Sequence, residues 1–112
     1  MVTDLINEFR KANGKHPIHN WTNFENDHCM AHCLYLAWGE FRHTPECFLT
    51  GKAEAIAMCG FYGDFPASVK NAIAILADDP DHRSVLLDYN HMSYGVFTSN
   101  YQLYLTVRGW NG

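Results

Sequence analysis

Apolar positions along the chain recur at helical spacing through most of its length and switch to strict alternation in the last quarter. Leu5, Ile6, Phe9 and Ala12 form one inward stripe, which predicts a helix over residues 4–13 with Thr3 as N-cap and Gly14 as its stop. Residues 15–21 read as a connector around Pro17, with Ile18 and Trp21 turned inward. Thr22-Asn23-Phe24-Glu25 is a capping box. It opens the longest predicted helix, residues 23–38, with Phe24, Ala31, Leu34, Tyr35 and Trp38 on its apolar face and Gly39 at its end. Residues 39–52 read as an irregular loop punctuated by Gly39, Pro45 and Gly51. The run 53–59 is apolar except for Glu54 and fits either a buried strand or a turn of helix.

After a loop from Gly60 to Asp64, a helix is predicted from Pro66, a residue suited to a first helical position, with Val69, Ile73, Leu76 and Ala77 inside. Asp79-Pro80 reads as a cap and first-turn proline, opening a short helix through Leu87. Residues 92–98 and 101–108 then alternate as two strands joined at Ser99-Asn100, an antiparallel hairpin. Leu103, Leu105 and Val107 face one way; Tyr104, Thr106 and Arg108 face the other. The element order predicts an α+β domain, a small antiparallel sheet covered by helices.

Composition narrows the class. With 112 residues, 47% hydrophobic and 18% charged, the chain is expected to form one packed domain over residues 1–112. The net charge of −4 comes without any cluster of Lys or Arg, which argues against nucleic acid as a partner. No apolar run approaches the roughly 20 residues of a membrane span. Asp4, Glu8, Arg10 and Lys11 interrupt the stretch where a signal's apolar region would lie, so no signal peptide is expected. Cys29, Cys33, Cys47 and Cys59 are expected as free, buried thiols. Cys29 and Cys33, four apart on a predicted helix, are poor partners for each other; a bridge from one of them to Cys47 or Cys59 is the alternative.

The candidate chemistry sits where polar residues break the apolar pattern. His43, Glu54 and His82 are the leading set, because two imidazoles and a carboxylate brought together can hold a divalent ion or move protons. Glu54, inside Ala-Glu-Ala-Ile-Ala-Met, is costly to bury unpaired and calls for a cation, an imidazolium or backbone donors. A purely structural role, tying down the preceding loop, satisfies the same demand. His28, Cys29, His32 and Cys33 offer a competing ligand set, but neighbouring helix positions diverge by about 100°, so the four do not converge on one ion. No nucleophile stands out among Ser84, Ser93 and a Cys47–His43 pairing. Phe61-Tyr62-Gly63-Asp64-Phe65 places three aromatics around a glycine, which marks Phe61, Tyr62 and Phe65 as a lip for a lipid, glycan or protein ligand.

Several segments resemble motifs of the CAP superfamily (cysteine-rich secretory proteins, antigen 5 and pathogenesis-related-1 proteins; SCP-like domains), its minimal bacterial members above all. Asn7-Glu8-Phe9-Arg10 is similar to the opening helix's Asn-x-x-Arg, and Phe41-Arg42-His43-Thr44 to the segment of the first family histidine. Ala53-Glu54-Ala55-Ile56-Ala57 resembles Gly-Glu-Asn-Ile-Ala. Asp79-Pro80-Asp81-His82-Arg83-Ser84-Val85-Leu86-Leu87 resembles Ser-Pro-Gly-His-Arg-x-Asn-Leu-Leu. Ala55 departs from the motif asparagine and Leu76 from a helix tryptophan, and the second glutamate of larger members has no clear counterpart, with Asp78 nearby. The resemblance implies a three-layer α-β-α sandwich whose cleft holds His43, Glu54 and His82, with zinc or another divalent ion held weakly by the two histidines. It implies a binding module outside the cell or at its surface, at odds with the missing signal. The alternative it leaves is a metal-dependent hydrolase of protease or esterase type, with Glu54 as general base.

Overall fold

Alternation in the C-terminal quarter builds a sheet. The computed structural model describes residues 1–19, 21 and 53–111. In it β1 (Ala53–Gly60), β2 (His91–Ser99) and β3 (Gln102–Trp110) form an antiparallel sheet in the order β1-β3-β2. The ambiguity over residues 53–59 is thereby resolved as strand: Ala53 pairs with Gly109 and Gly60 with Gln102, so β3 satisfies the backbone groups of both neighbours. Period two then sorts the side chains. Ala55, Ala57, Leu103, Leu105 and Val107 leave one face; Glu54, Ile56, Tyr104, Thr106 and Arg108 leave the other.

The hairpin turn lies one residue later than the spacing predicts, at Asn100-Tyr101. Ser99 stays extended and closes the ladder against Gln102, leaving a two-residue loop. Both loop residues take positive φ, 51° and 62°, as a type I′ turn requires.

Among the described residues, three helices cover the apolar face. Helix α1 (Val2–Ala12) begins two residues before the predicted start, with Thr3 inside it and no side-chain cap at Met1. Burying Val2, only 3% exposed, in the core outweighs a hydroxyl cap. Its buried positions are Val2, Ile6 and Arg10, flanked by half-buried Leu5 and Phe9, while Ala12 faces solvent instead of the core. Helix α2 (Phe65–Ala77) is capped by Asp64, whose carboxylate accepts from the Ala67 amide at 3.1 Å; Val69, Ala72, Ile73 and Leu76 point inward. Helix α3 (Pro80–Leu87) starts as predicted, with Asp79 accepting from the amides of Asp81 and His82 at 2.9 and 3.4 Å. Val85 and Leu86 join Ile6, Ile18, Val69, Leu76, Leu103, Leu105 and Val107 in one core. The fold is α+β, consistent with a helix-covered sandwich.

The Asn-x-x-Arg pair of α1 acts as a staple. Asn7 donates to the Ile18 carbonyl at 3.2 Å and accepts from the Ile18 amide at 2.7 Å, pinning the connector and sending Ile18 into the core. Arg10 donates to the carbonyls of His16, at 2.9 Å, and Leu86, at 2.6 Å, which ties α1 to the end of α3. Burial pulls its guanidinium below its ordinary pKa, and Asp88 opposes that pull. Arg83 adds a second tie. It donates to Asn13 and lies 5.3 Å from the Phe9 ring centre. Trp21 makes an isolated parallel bridge to Met92 on the outer side of β2 and meets Tyr94 edge-on at 5.7 Å.

Cys59 is a free thiol, so the alternative bridge to it is not formed. Its Sγ donates to the Ser68 carbonyl at 3.2 Å. The capping box at 22–25, the helix predicted over 23–38, the loop 39–52, His28, His32, His43, Cys29, Cys33 and Cys47 all lie outside the described residues.

Candidate functional site

On the face turned away from the three helices, the sheet carries a row of polar side chains at one end. Strand register sets it directly: Arg108 on the central strand lies opposite Glu54 on one side and Ser93 on the other. Thr106 follows on β3. Ser93 and Thr106 are fully buried, and the side chains of Arg108 and Glu54 are 3% and 1% exposed. Arg108 Nε donates to Glu54 Oε2 at 3.0 Å. The demand read from the sequence, that a carboxylate inside this apolar run needs a cation, is met by an arginine 54 residues away. Toward the other end the same face turns apolar, with Ile56, Tyr104 and Phe97 packed together and the Tyr104 hydroxyl donating to Gln102 Oε1 at 2.9 Å.

The sequence pattern alone gives Arg108 no role. Its signal was there: Glu54 and Arg108 each stand as the one charge within an apolar strand, and pairing with an opposite charge offsets the desolvation of both. Seeing this needs the register of β1 on β3. Residues 53–59, whose alternating positions are mostly alanine, do not reveal it.

His82 stands in the first turn of α3, half-buried, its amide held by Asp79. Helix α3 packs over the apolar face, whereas the Glu54 side chain leaves the sheet on the opposite face alongside Arg108. Among the described residues no group of three His, Cys, Asp or Glu side chains gathers closely enough to hold a metal ion. His43 lies outside those residues.

The aromatic loop divides its residues. Phe61 and Tyr62 line an open cleft of about 600 Å³ together with Gly63, Thr98, Asn100 and Tyr101. Phe65, at the start of α2, packs on the core margin instead and meets the Phe61 ring edge-on at 6.3 Å. Tyr101, on the hairpin turn, is a cleft residue outside the aromatic segment that the sequence marks. Its signal is a bulky side chain at the turn position where glycine is usual.

No family model and no curated protein matches the chain. Among solved structures, it is similar to the crystal structure of a cysteine-rich secretory protein from Staphylococcus aureus subsp. aureus Mu50, with a TM-score of 0.58 and 22% sequence identity. The likeness covers 97% of this chain and 37% of that one, so this chain spans little more than a third of its neighbour's length. No helix among the described residues is long and apolar enough to cross a membrane. At this level of identity the likeness is one of fold: the chain has a CAP-like fold.

Proposed function

We propose that this chain is a CAP-like binding domain acting at the cell surface or outside the cell, and that Glu54 serves its architecture and not a reaction. The observation that carries this reading is the buried pair: the Glu54 carboxylate is engaged by Arg108 and is almost wholly removed from solvent. A general base has to reach the water or substrate whose proton it takes, within hydrogen-bonding distance. A carboxylate committed to a buried guanidinium is poorly placed for that, which weighs against the metal-dependent hydrolase. The fold likeness to a cysteine-rich secretory protein supports the CAP-like reading and the extracellular setting.

The metal enters the same proposal through His43 and His82, with imidazole nitrogens of the kind zinc prefers. A bound ion would supply an open coordination position for an oxygen of the ligand. With two neutral donors and no anionic one from Glu54, such an ion is held weakly and exchanges. Calorimetric titration of the full chain with zinc is the test: binding is expected in the native chain and lost in His43→Ala and in His82→Ala. Undiminished binding in the double variant would remove the two histidines from the proposal.

A further inference from the structure

Tyr101 breaks a local rule. Two-residue hairpin turns favour Asn-Gly because both positions need positive φ, yet here tyrosine follows Asn100 at φ 62°. A bulky residue in that region is disfavoured, and such outliers concentrate where a site needs them. Burial does not compensate, since Tyr101 is 78% exposed. Facing the same cleft is Tyr62, 86% exposed. A Cβ on Gly60 would meet the Tyr62 ring at 2.9 Å, so the ring lies against the strand end only because residue 60 has no side chain. The Phe61 amide donates to the Tyr101 carbonyl at 2.8 Å, fastening the loop to the turn through the main chain. Two exposed tyrosines thus belong to segments held in fixed relation, with Phe61 anchored between them on Phe65.

From this we infer that the cleft binds a neutral oligosaccharide, with Tyr62 and Tyr101 as stacking platforms and Asn100 and Thr98 as hydrogen-bonding partners. Among the described residues that line it none is charged, which favours a neutral ligand over an anionic headgroup or an acidic peptide. Sugar rings present C–H faces that pack on aromatic rings and hydroxyl edges that bond amides and hydroxyls. Tyrosine, with an apolar body and a polar tip, serves both demands. An acyl chain calls for a dry, enclosed channel, whereas both tyrosines here stand largely in water. The volume of about 600 Å³ falls within the range of small-ligand sites.

This inference rests on reading the chain as a binding domain, but not on the metal. Its test is run on the full chain in EDTA, titrating short β-linked oligosaccharides of glucose and of N-acetylglucosamine and following the chemical shifts of Tyr62 and Tyr101. Saturable binding that tightens with oligosaccharide length is expected. Tyr62→Ala and Tyr101→Gly should each weaken it about tenfold. Tyr101→Gly suits the turn backbone, so it should melt no lower than the native chain and loss of binding there cannot be laid to unfolding. Failure of every sugar to bind, or unchanged affinity in both variants, overturns the inference. Phosphatidylcholine vesicles are titrated alongside, and binding to them through the same tyrosines in place of sugar overturns it equally. Sugar binding without zinc binding would sink the two-histidine reading alone, and zinc binding without sugar binding would sink this one alone.

Discussion

The two faces of the sheet are buried to similar depth by opposite chemistry. Under the helices, Leu103, Leu105 and Val107 are wholly inaccessible; on the other face Thr106 is equally so and Arg108 is 2% exposed. The apolar face gains from burial in proportion to area, and many side chains of the right size would serve. The polar row has no such tolerance. Two desolvated charges roughly break even when well paired and are costly when either partner is lost. A one-residue slip of β1 along β3 would send Glu54 to the apolar face and separate it from Arg108. What the pair contributes is therefore register, while the helix face contributes most of the driving force.

The contrast can be broken from the polar side first. Glu54→Gln is expected to cost about 3–5 kcal/mol, because it removes the negative charge that a buried guanidinium faces at 3.0 Å. Chemical denaturation measures it. Pairing Glu54→Leu with Arg108→Met should recover most of that loss, and a double variant as weak as the single one would mean that the charged pair itself adds net stability. Next comes the apolar side. Leu105→Ala, at the centre of the helix-covered face, is expected to cost about 3 kcal/mol by lost transfer energy and the cavity left behind. Hydrogen exchange sharpens the comparison: Leu105→Ala should leave the pairing of β1 with β3 protected, whereas Glu54→Gln should loosen it.

The smallest effect concerns Cys59, at the margin of the apolar face. Burial pushes its thiol above the ordinary value, and a backbone hydrogen bond at Ala72 pulls the other way. The folded state then holds the proton more tightly than the unfolded one. This stability contribution is complete below the ordinary thiol pKa and is lost as pH rises through the raised one. Alkylation of the native chain at mildly alkaline pH should accordingly run slower at Cys59 than in the denatured chain, as mass spectrometry would read.

How much of this was legible follows from where each signal resides. Helix α3 and its Asp79 cap were plain, because cap, proline and apolar spacing are local. For helix α1 the local signal points two residues late, because Thr3 has the chemistry of a cap and the pull of Val2 toward the core is not local. The hairpin was legible and its turn misplaced by one residue, since Tyr101 occupies a position normally marked by glycine. For Glu54 the sequence revealed the need for a partner but not its identity, which depends on strand register. The motif resemblance pointed to Asn7 and Arg10, yet their partners at residues 16, 18 and 86 are main-chain groups with no signature of their own. Of the candidate site, Glu54 and His82 fall among the described residues and His43 does not.

Trp21 matters beyond its ring contacts. A strand at the rim of a sheet is a template on which a second molecule can add, residue by residue, toward fibrils. By bridging Met92 near the start of β2, Trp21 occupies part of that rim. Its neighbour Tyr94 lies under the same indole, so a foreign strand seeking to zip along β2 from this end would first have to displace a tryptophan.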